Sequence, residues 1–294
     1  MDLSVDDFAA QVGSTGDVCV TGMGTRAAPI DGVRLVHAPS GISWIEPAEM
    51  TLQCGAGTPV DEVAAALAEH GQQIPVPAGG TIGGALAVGQ SGPRRLAYGA
   101  MRDALLQANY VNAAGKVVKA GGPTVKNVSG FDLCRLLVGS RGTLGFIGDV
   151  ILRTRPKAAY EQWFTSDRDP WVLVTELFRP TSVLWDGVTT WVLLEGDERD
   201  VAEMAAQFSL EAVASGPELP AGGRWSMPPA ELVSLRVAPP GSFVAEIGVG
   251  VVHHSRSRPA RAVDAAQAAL HARIKHEFDP TGRLNPGLDV LTAS

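Results

Sequence analysis

The stretch 77-PAGGTIGGALAVGQSGPRRLAYG-99 decides the reading of this chain. Six glycines fall between Gly79 and Gly92. Each removes a side chain, so backbone N–H groups can approach a ligand closely. Successive free N–H groups suit a phosphate or pyrophosphate. Two familiar phosphate cradles are excluded by residue type. A G-x-x-x-x-G-K-[ST] loop needs Lys for the phosphates and Ser or Thr for magnesium, and no Lys follows Gly83-Gly84. A G-x-G-x-x-G turn needs a strand before it, a helix after it and an acid about 20 residues on. Gly22-x-Gly24 lacks the third glycine, and no helical pattern follows it.

Outward from that stretch, the 294 residues divide by vocabulary. Of 34 glycines, 24 precede Pro156, whereas Trp163, Trp171, Trp185, Trp191 and Trp225 all follow it and only Trp44 precedes it. A boundary near Arg155-Pro156-Lys157 therefore separates a Gly-rich scaffold from a Trp-bearing α+β unit. The net charge of −7 argues against a nucleic-acid partner, which needs a basic face. Hydrophobic residues at 45% and charged residues at 19% exclude disorder. Cys19, Cys54 and Cys134 are far apart and form no CxxC, so neither a disulfide framework nor a structural metal is expected. MDLSVDDFAA lacks the build of a signal peptide, and no run of about 18 apolar residues suggests a bilayer span. These features imply a cytoplasmic protein without an integral membrane segment.

Periodicity predicts short strands at Asp17–Thr21, Gly41–Ile45, Met50–Cys54 and Leu144–Arg153, and a hairpin of Leu105–Asn112 with Lys116–Lys119. A helix is expected after Thr58 as N-cap, with Pro59 at its first position, Asp61 completing a capping box, Val63, Ala66 and Leu67 as its stripe, and Gly71 closing it. A second covers Phe131–Val138, with Leu133, Leu136 and Leu137 inward and Asp132 as a cap. Beyond Pro156, strands are expected at Trp171–Val174, Thr189–Leu194 and Phe243–Val252, and helices at Asp200–Phe208 and Ala260–His276. The Gly- and Pro-rich Ala214–Trp225 reads as a loop.

Five signatures then occur in order: the Gly22-Met23-Gly24-Thr25 turn; Gly80-Thr81-Ile82-Gly83-Gly84 running to Ser91-Gly92-Pro93-Arg94-Arg95 and Tyr98-Gly99; Lys126-Asn127-Val128-Ser129-Gly130-Phe131-Asp132; Gly139-Ser140-Arg141-Gly142-Thr143-Leu144-Gly145; and Phe278-Asp279-Pro280 with Asn285-Pro286-Gly287. On these residues the chain resembles the FAD-binding oxidases of the vanillyl-alcohol oxidase (PCMH-type) superfamily, and within it the small FAD-binding E-subunit of bacterial glycolate oxidase. The resemblance implies an α+β fold: a PCMH-type FAD-binding domain of two α/β subdomains over 1–156, a smaller α+β cap over 157–270, and a return segment over 271–294. It implies that Gly22, Met23, Gly24, Thr25 and Arg26 form the loop on the pyrophosphate. Pro77, Gly80, Thr81, Ile82, Gly83, Gly84, Ser91, Gly92 and Tyr98 form the second loop. Gly142, Thr143, Gly145 and Ile147 flank the cofactor, and Asn285 approaches the flavin.

Two departures shape the expected chemistry. The first loop carries neither the His nor the Cys through which covalent members attach flavin, so non-covalent FAD is expected. The His-x-Gly-Asp-Gly-Asn-x-His stretch of metal-using 2-hydroxy-acid dehydrogenases is absent, so no metal is expected. His253, His254 and Arg95 are the remaining catalytic candidates; adjacent histidines on a continuous strand point to opposite faces. Arg94 and Arg95 could grip a carboxylate or brace the domain. Lys126 and Arg141 could offset phosphate charge or lie on the surface. The later tryptophans suit a core or a partner interface. Three functions follow. The first is an FAD-binding subunit of a glycolate-oxidase-like complex acting on a small 2-hydroxy acid. Its electrons leave through a larger FAD-binding dehydrogenase subunit and an iron–sulfur subunit, and it is cytoplasmic or peripheral at the inner membrane face through those partners. The second is a self-sufficient FAD-dependent oxidoreductase of a small alcohol or hydroxy acid. The third is a non-catalytic scaffold subunit with structural FAD or none.

Overall fold

The computed structural model describes residues 3–26, 28–123, 132–258 and 263–291. They form two units. Met1–Ser91, Ala100–Lys157 and Ala262–Ala293 make the first; Gly92–Gly99 and Ala158–Arg261 make the second. The first unit's second segment ends at Lys157, and the second unit resumes at Ala158. The sequence placed Gly92–Gly99 with the first half and began the return segment at residue 271; in the structure Gly92–Gly99 joins the second unit and the return begins at Ala262.

The first unit is built on a five-stranded antiparallel sheet. Its order is Ile42–Glu46, Thr51–Gly55, Phe146–Arg153, Leu105–Val111, Val117–Gly121. The central strand Phe146–Arg153 is buried nearly throughout rather than alternately, the mark of a strand covered on both faces. Leu52, Val63, Leu67, Ile82, Leu86 and Leu152 form the core with it. A second cluster joins Phe8 and Val12 of the helix Val5–Val12 to Val18, Val36, Phe146 and Leu284. That helix starts at Ser4, whose hydroxyl accepts from Asp7 N while Asp7 reaches back to Ser4 N. Val18–Val20 pairs in parallel with Arg34–Val36, and Val18 also bridges Leu284 from the C-terminal segment.

Several local expectations shift. The helix predicted from Thr58 is Val60–Ala68, with Pro59 as its N-cap and no side-chain cap. Thr58 Oγ1 instead donates to Gly55 O at 2.7 Å and accepts from Gly41 N at 2.9 Å, tying two turns. The helix expected over Phe131–Val138 is Leu133–Leu137, capped by Asp132. Cys134 and Leu137 face inward while Leu136 is exposed, and Phe131 lies outside the described residues.

In the second unit, seven antiparallel strands run in the order Glu211–Val213, Tyr160–Ser166, Thr190–Gly196, Ser182–Trp185, Phe243–Glu246, Val251–His254, Gly223–Ser226. Phe243–Val252 is thus two strands: Gly248 and Gly250, both at positive φ, turn the chain between them. Trp171–Val174 is not a strand. Asp169 caps Trp171 N and Val172 N, and Pro170 opens the helix Pro170–Glu176. That helix, Glu198–Phe208 and the 3-10 segment Pro229–Val237 have Leu173, Val201, Leu232 and Leu235 buried in two apolar clusters with the strands. Gly223–Ser226, read as loop, is the edge strand. The last helix is Ala265–Phe278 rather than Ala260–His276; residues 259–262 lie outside the described set.

Candidate functional site

The glycine stretch folds as a turn and a short helix. Thr81 is the N-cap of Ile82–Val88: its hydroxyl accepts from Gly84 N, and Gly89 closes the helix in the left-handed conformation. Gly83 sits where this helix meets the strand end at Ala56. Its N–H donates to Ala56 O at 2.7 Å, and a Cβ on it would lie 2.7 Å from Ala56 Cβ. Glycine here permits backbone-to-backbone packing. Gly22 makes room for a side chain instead, since its Cβ would lie 2.9 Å from Thr81 Oγ1.

The helix forms one wall of a cleft in the first unit, with about 1000 Å³ of free space, part of it open to solvent. The first loop, from Val20 through Gly22, Met23, Gly24, Thr25 and Arg26, forms a second wall. Arg141, Gly142, Gly145 and Ile147 form a third, and Asn285 and Leu288 arrive from the C-terminal segment. Among the described residues, no hydrogen bond uses the amides of Gly22, Met23, Gly24 or Thr25. A run of uncommitted N–H groups on a cleft wall suits an anionic oxygen ligand.

Two charged or polar side chains hold the walls. Arg26 donates to Gly79 O at 2.7 Å and Pro77 O at 3.1 Å, bracing the first loop against the second. Burial lowers its pKa, while Asp61 acts in the opposite sense. Asn285, 7% exposed, joins three segments: its N donates to Val18 O at 3.0 Å, its Nδ2 to Arg141 O at 2.7 Å, and its Oδ1 accepts from Val20 N at 3.3 Å. Its φ of 44° is left-handed, which Asn tolerates better than most residues.

The structure therefore brings Gly22, Met23, Gly24, Thr25, Arg26, Thr81, Gly83, Gly84, Gly142, Gly145, Ile147 and Asn285 to one cleft. Pro77, Gly80, Ile82, Ser91 and Thr143 belong to the same unit but are not on its wall. Ile82 is buried in the core, Ser91 Oγ accepts from Met101 N at 3.1 Å, and Thr143 Oγ1 donates to Ser140 O at 2.7 Å. Gly92 and Tyr98 lie in the second unit, where Tyr98 donates to Glu195 at 2.5 Å. Lys126 through Phe131 lie outside the described residues.

Of the catalytic candidates, all three fall in the second unit. The strand Val251–His254 runs through both histidines, so they point apart. His253 Nε2 is 2.8 Å from Glu246 Oε1. His254 stacks on Trp225 at 4.1 Å, and burial lowers its pKa. Arg94 does not stand ready for a carboxylate ligand: it pairs with Glu161 at 2.9 Å and with Glu195. Burial works to lower its pKa, but Glu161, Tyr98 and Glu195 prevail and raise it.

Sequence reasoning missed three supports. Arg283, 4% exposed, donates to the carbonyls of Gly16, Gly13, Ala113, Val12 and Thr15. Lys275 Nζ donates to Thr143 O at 2.8 Å, Asp279 Oδ2 at 2.6 Å and Leu284 O at 3.1 Å. The Lys-x-x-x-Asp spacing at the end of a helix is the sequence signal for this pair, and the periodicity reading passed over it. Cys19, beside the first loop, lines the cleft with its thiol directed at Val20 O, 3.6 Å away. Among the described residues no group of three or more His, Cys, Asp or Glu side chains is placed to hold a metal ion, and no helix is long and apolar enough to cross a membrane.

Comparison with known proteins agrees with this architecture. Residues 18–121 match the FAD binding domain family, and residues 229–288 match the C-terminal domain of FAD linked oxidases. Glycolate oxidase subunit GlcE of Escherichia coli is 33% identical over 201 residues, covering 63% of this chain and 57% of that protein. D-lactate dehydrogenase of Archaeoglobus fulgidus is 40% identical over 107 residues, 35% of this chain and 24% of that protein. The chain thus spans a little over half of the first relative and a quarter of the second. Alkyldihydroxyacetonephosphate synthase shares the fold at a TM-score of 0.69, 14% identity, and coverage of 97% of this chain and 74% of that one. The chain thus matches an FAD binding domain toward one end and the C-terminal domain of FAD linked oxidases toward the other.

Proposed function

We propose that the chain is the FAD-binding subunit of a glycolate-oxidase-like complex that oxidises a small 2-hydroxy acid. The observation that carries this reading is the cleft whose first wall offers four successive uncommitted amides, Gly22 to Thr25. The residues present fit FAD: small or absent side chains along two loops, an N–H run for a diphosphate, and an apolar wall of Ala56, Ala87, Val88 and Phe146 for a flat ring. Bound there, FAD supplies a hydride acceptor.

The chain's own residues bind and orient. Gly22, Met23, Gly24 and Thr25 donate backbone N–H groups to the diphosphate. Thr81, Gly83 and Gly84 keep the facing wall free of bulk, and Gly142, Gly145 and Ile147 flank the cofactor. Arg26 and Asn285 hold the walls in register, and Gly80 lets the Arg26 guanidinium through, since a Cβ there would lie 2.1 Å from Nη1. The first loop offers neither His nor Cys, and Cys19 is 4% exposed, so the cofactor is held without a covalent bond.

A complex is supported by the relatives named as subunits, GlcE of Escherichia coli and glycolate oxidase subunit GlcD of Bacillus subtilis, the latter 43% identical over 77 residues. The partners in this reading are a larger FAD-binding dehydrogenase subunit and an iron–sulfur subunit. Three buried free cysteines suit a reducing, cytoplasmic compartment, with any membrane attachment made through partners. Co-expression with the larger flavoprotein tests the reading. The expected result is a stable complex whose flavin absorbance bleaches anaerobically with glycolate or D-lactate. A monomer that ignores the larger flavoprotein and turns over alone contradicts it.

A further inference from the structure

Met23 is the odd residue of the first loop. Every other residue from Thr21 to Thr25 is glycine or threonine, so the wall they form offers backbone more than side chain. Met23 is 61% exposed, the highest value among the described methionines. Met50 follows at 40%, in the turn before Thr51–Gly55 and off the cleft wall. Met204 and Met227 pack against the apolar clusters of the second unit, and Met101 is buried in the core of the first. Among the described residues the cleft holds one other sulfur, Cys19, buried with its thiol directed at Val20 O. An oxidant entering from solvent therefore meets the Met23 thioether first.

We infer that Met23 is a modification site: hydrogen peroxide converts it to the sulfoxide, and the sulfoxide loosens the cofactor. The step balances between those two reactants. The sulfur lone pair bonds one peroxide oxygen as the O–O bond breaks, so sulfur is oxidised by two electrons and the peroxide reduced. The second oxygen leaves as water with both protons.

The consequence follows from where the new oxygen stands. No hydrogen bond among the described residues uses the amides of Gly22, Met23, Gly24 or Thr25, and the diphosphate is their acceptor in the reading above. A sulfoxide oxygen is a hydrogen-bond acceptor on a flexible side chain rooted in the middle of that run. It competes with the diphosphate for the same N–H groups and sets a partial negative charge beside the phosphate oxygens. Arg26 does not offset this, because its guanidinium is engaged with Gly79 O and Pro77 O. Met23 lines the cleft, so a cofactor filling it shields the sulfur in turn. The site is thus oxidised in the apoprotein and protected in the FAD-loaded form. This rests on the assignment of the diphosphate to Gly22–Thr25 and adds a chemical event that reverses it.

Graded hydrogen peroxide, stopped with catalase, tests this on apoprotein and FAD-loaded protein. Peptide mass spectrometry follows each methionine, and flavin fluorescence quenching gives the FAD affinity of each treated apoprotein. Met23 and Met50 are both expected to oxidise in the apoprotein; FAD slows Met23 about tenfold or more and leaves Met50 unchanged. Oxidised apoprotein is expected to bind FAD about tenfold more weakly, and methionine sulfoxide reductases acting on both sulfur epimers to restore it. In Met23→Leu, treated and untreated apoprotein are expected to bind FAD alike, whereas Met50→Leu shows the full loss on treatment. Three results overturn the inference: Met23 oxidised as fast with FAD as without, FAD affinity within about threefold after complete Met23 oxidation, or the same peroxide loss in Met23→Leu. Untreated protein that binds no FAD is a separate outcome, which overturns the cofactor reading and this inference with it.

Discussion

Replacing Arg26 by Met removes the guanidinium that holds Gly79 O at 2.7 Å and Pro77 O at 3.1 Å, and keeps most of the side chain's apolar length. A hydrogen bond from a charged donor contributes roughly 1.5–3 kcal/mol. Arg26 is half-buried, so water recovers part of each bond; about 1 kcal/mol apiece, or ~2 kcal/mol for the pair, is a fair magnitude. At 1.4 kcal/mol per tenfold, the brace between the two loops weakens about 30-fold. Because FAD needs both walls in place, its Kd rises by about that factor. The assay is quenching of flavin fluorescence on titration into the apoprotein, at low and at high ionic strength. The brace contacts neutral carbonyls, so the loss is the same at both. A direct contact between Arg26 and the cofactor diphosphate would be screened by salt. A change in Kd below about threefold, or a loss that shrinks at high salt, refutes the assignment.

Four further outcomes follow from the same geometry. Asn285→Ala leaves Arg141 O and Val20 N without its amide and places alanine at a φ of 44°; stability by urea unfolding falls by about 3 kcal/mol, and a fall below about 1 kcal/mol contradicts the three-segment role. Arg283→Met removes a donor from five carbonyls in the first unit, of which Val12 O and Thr15 O keep Arg34; a loss of about 3 kcal/mol is expected in the same assay, and a near-neutral effect refutes its structural weight. Burial pushes the Cys54 thiol up to about 12 and the Cys134 thiol up to about 11, so at pH 8 iodoacetamide labels neither until denaturant is added; rapid labelling of either in the native protein contradicts their burial. Burial raises the Asp149 carboxyl above its ordinary value of 3.8, against hydrogen bonds from Asn109 and Gln53. The folded state then holds this proton more tightly than the unfolded chain, so its contribution is full below pH 3.8 and is lost as pH rises through the folded value. Asp149→Asn flattens that slope, and an unchanged pH profile of Tm refutes it.

The glycine loops were legible because their demand is local: no side chain may stand at Gly22 or Gly83 without striking Thr81 or Ala56. The helix Ile82–Val88 hidden between them was not, since Gly83 and Gly84 lower helix propensity and tertiary packing on Ala56 overrides it. At Trp171–Val174 the β-favouring side chains suggested a strand, yet Asp169-Pro170 was a readable helix start. The long strand expected over Phe243–Val252 ignored Gly248 and Gly250, whose spacing marks the turn. Arg283 and the Glu246–His253 contact depend on partners far away in sequence or across a strand register, and no periodicity reports those. Arg94 shows the limit from the other side. Its motif was visible, but whether it faces ligand or Glu195 is a tertiary fact.

The most direct test of the central claim is the visible absorption spectrum of the purified chain, with flavin quantified after denaturation. The account predicts a flavin band near one equivalent that is released when the protein unfolds. A colourless protein that takes up no added FAD, or a flavin that stays attached to the denatured chain, contradicts it.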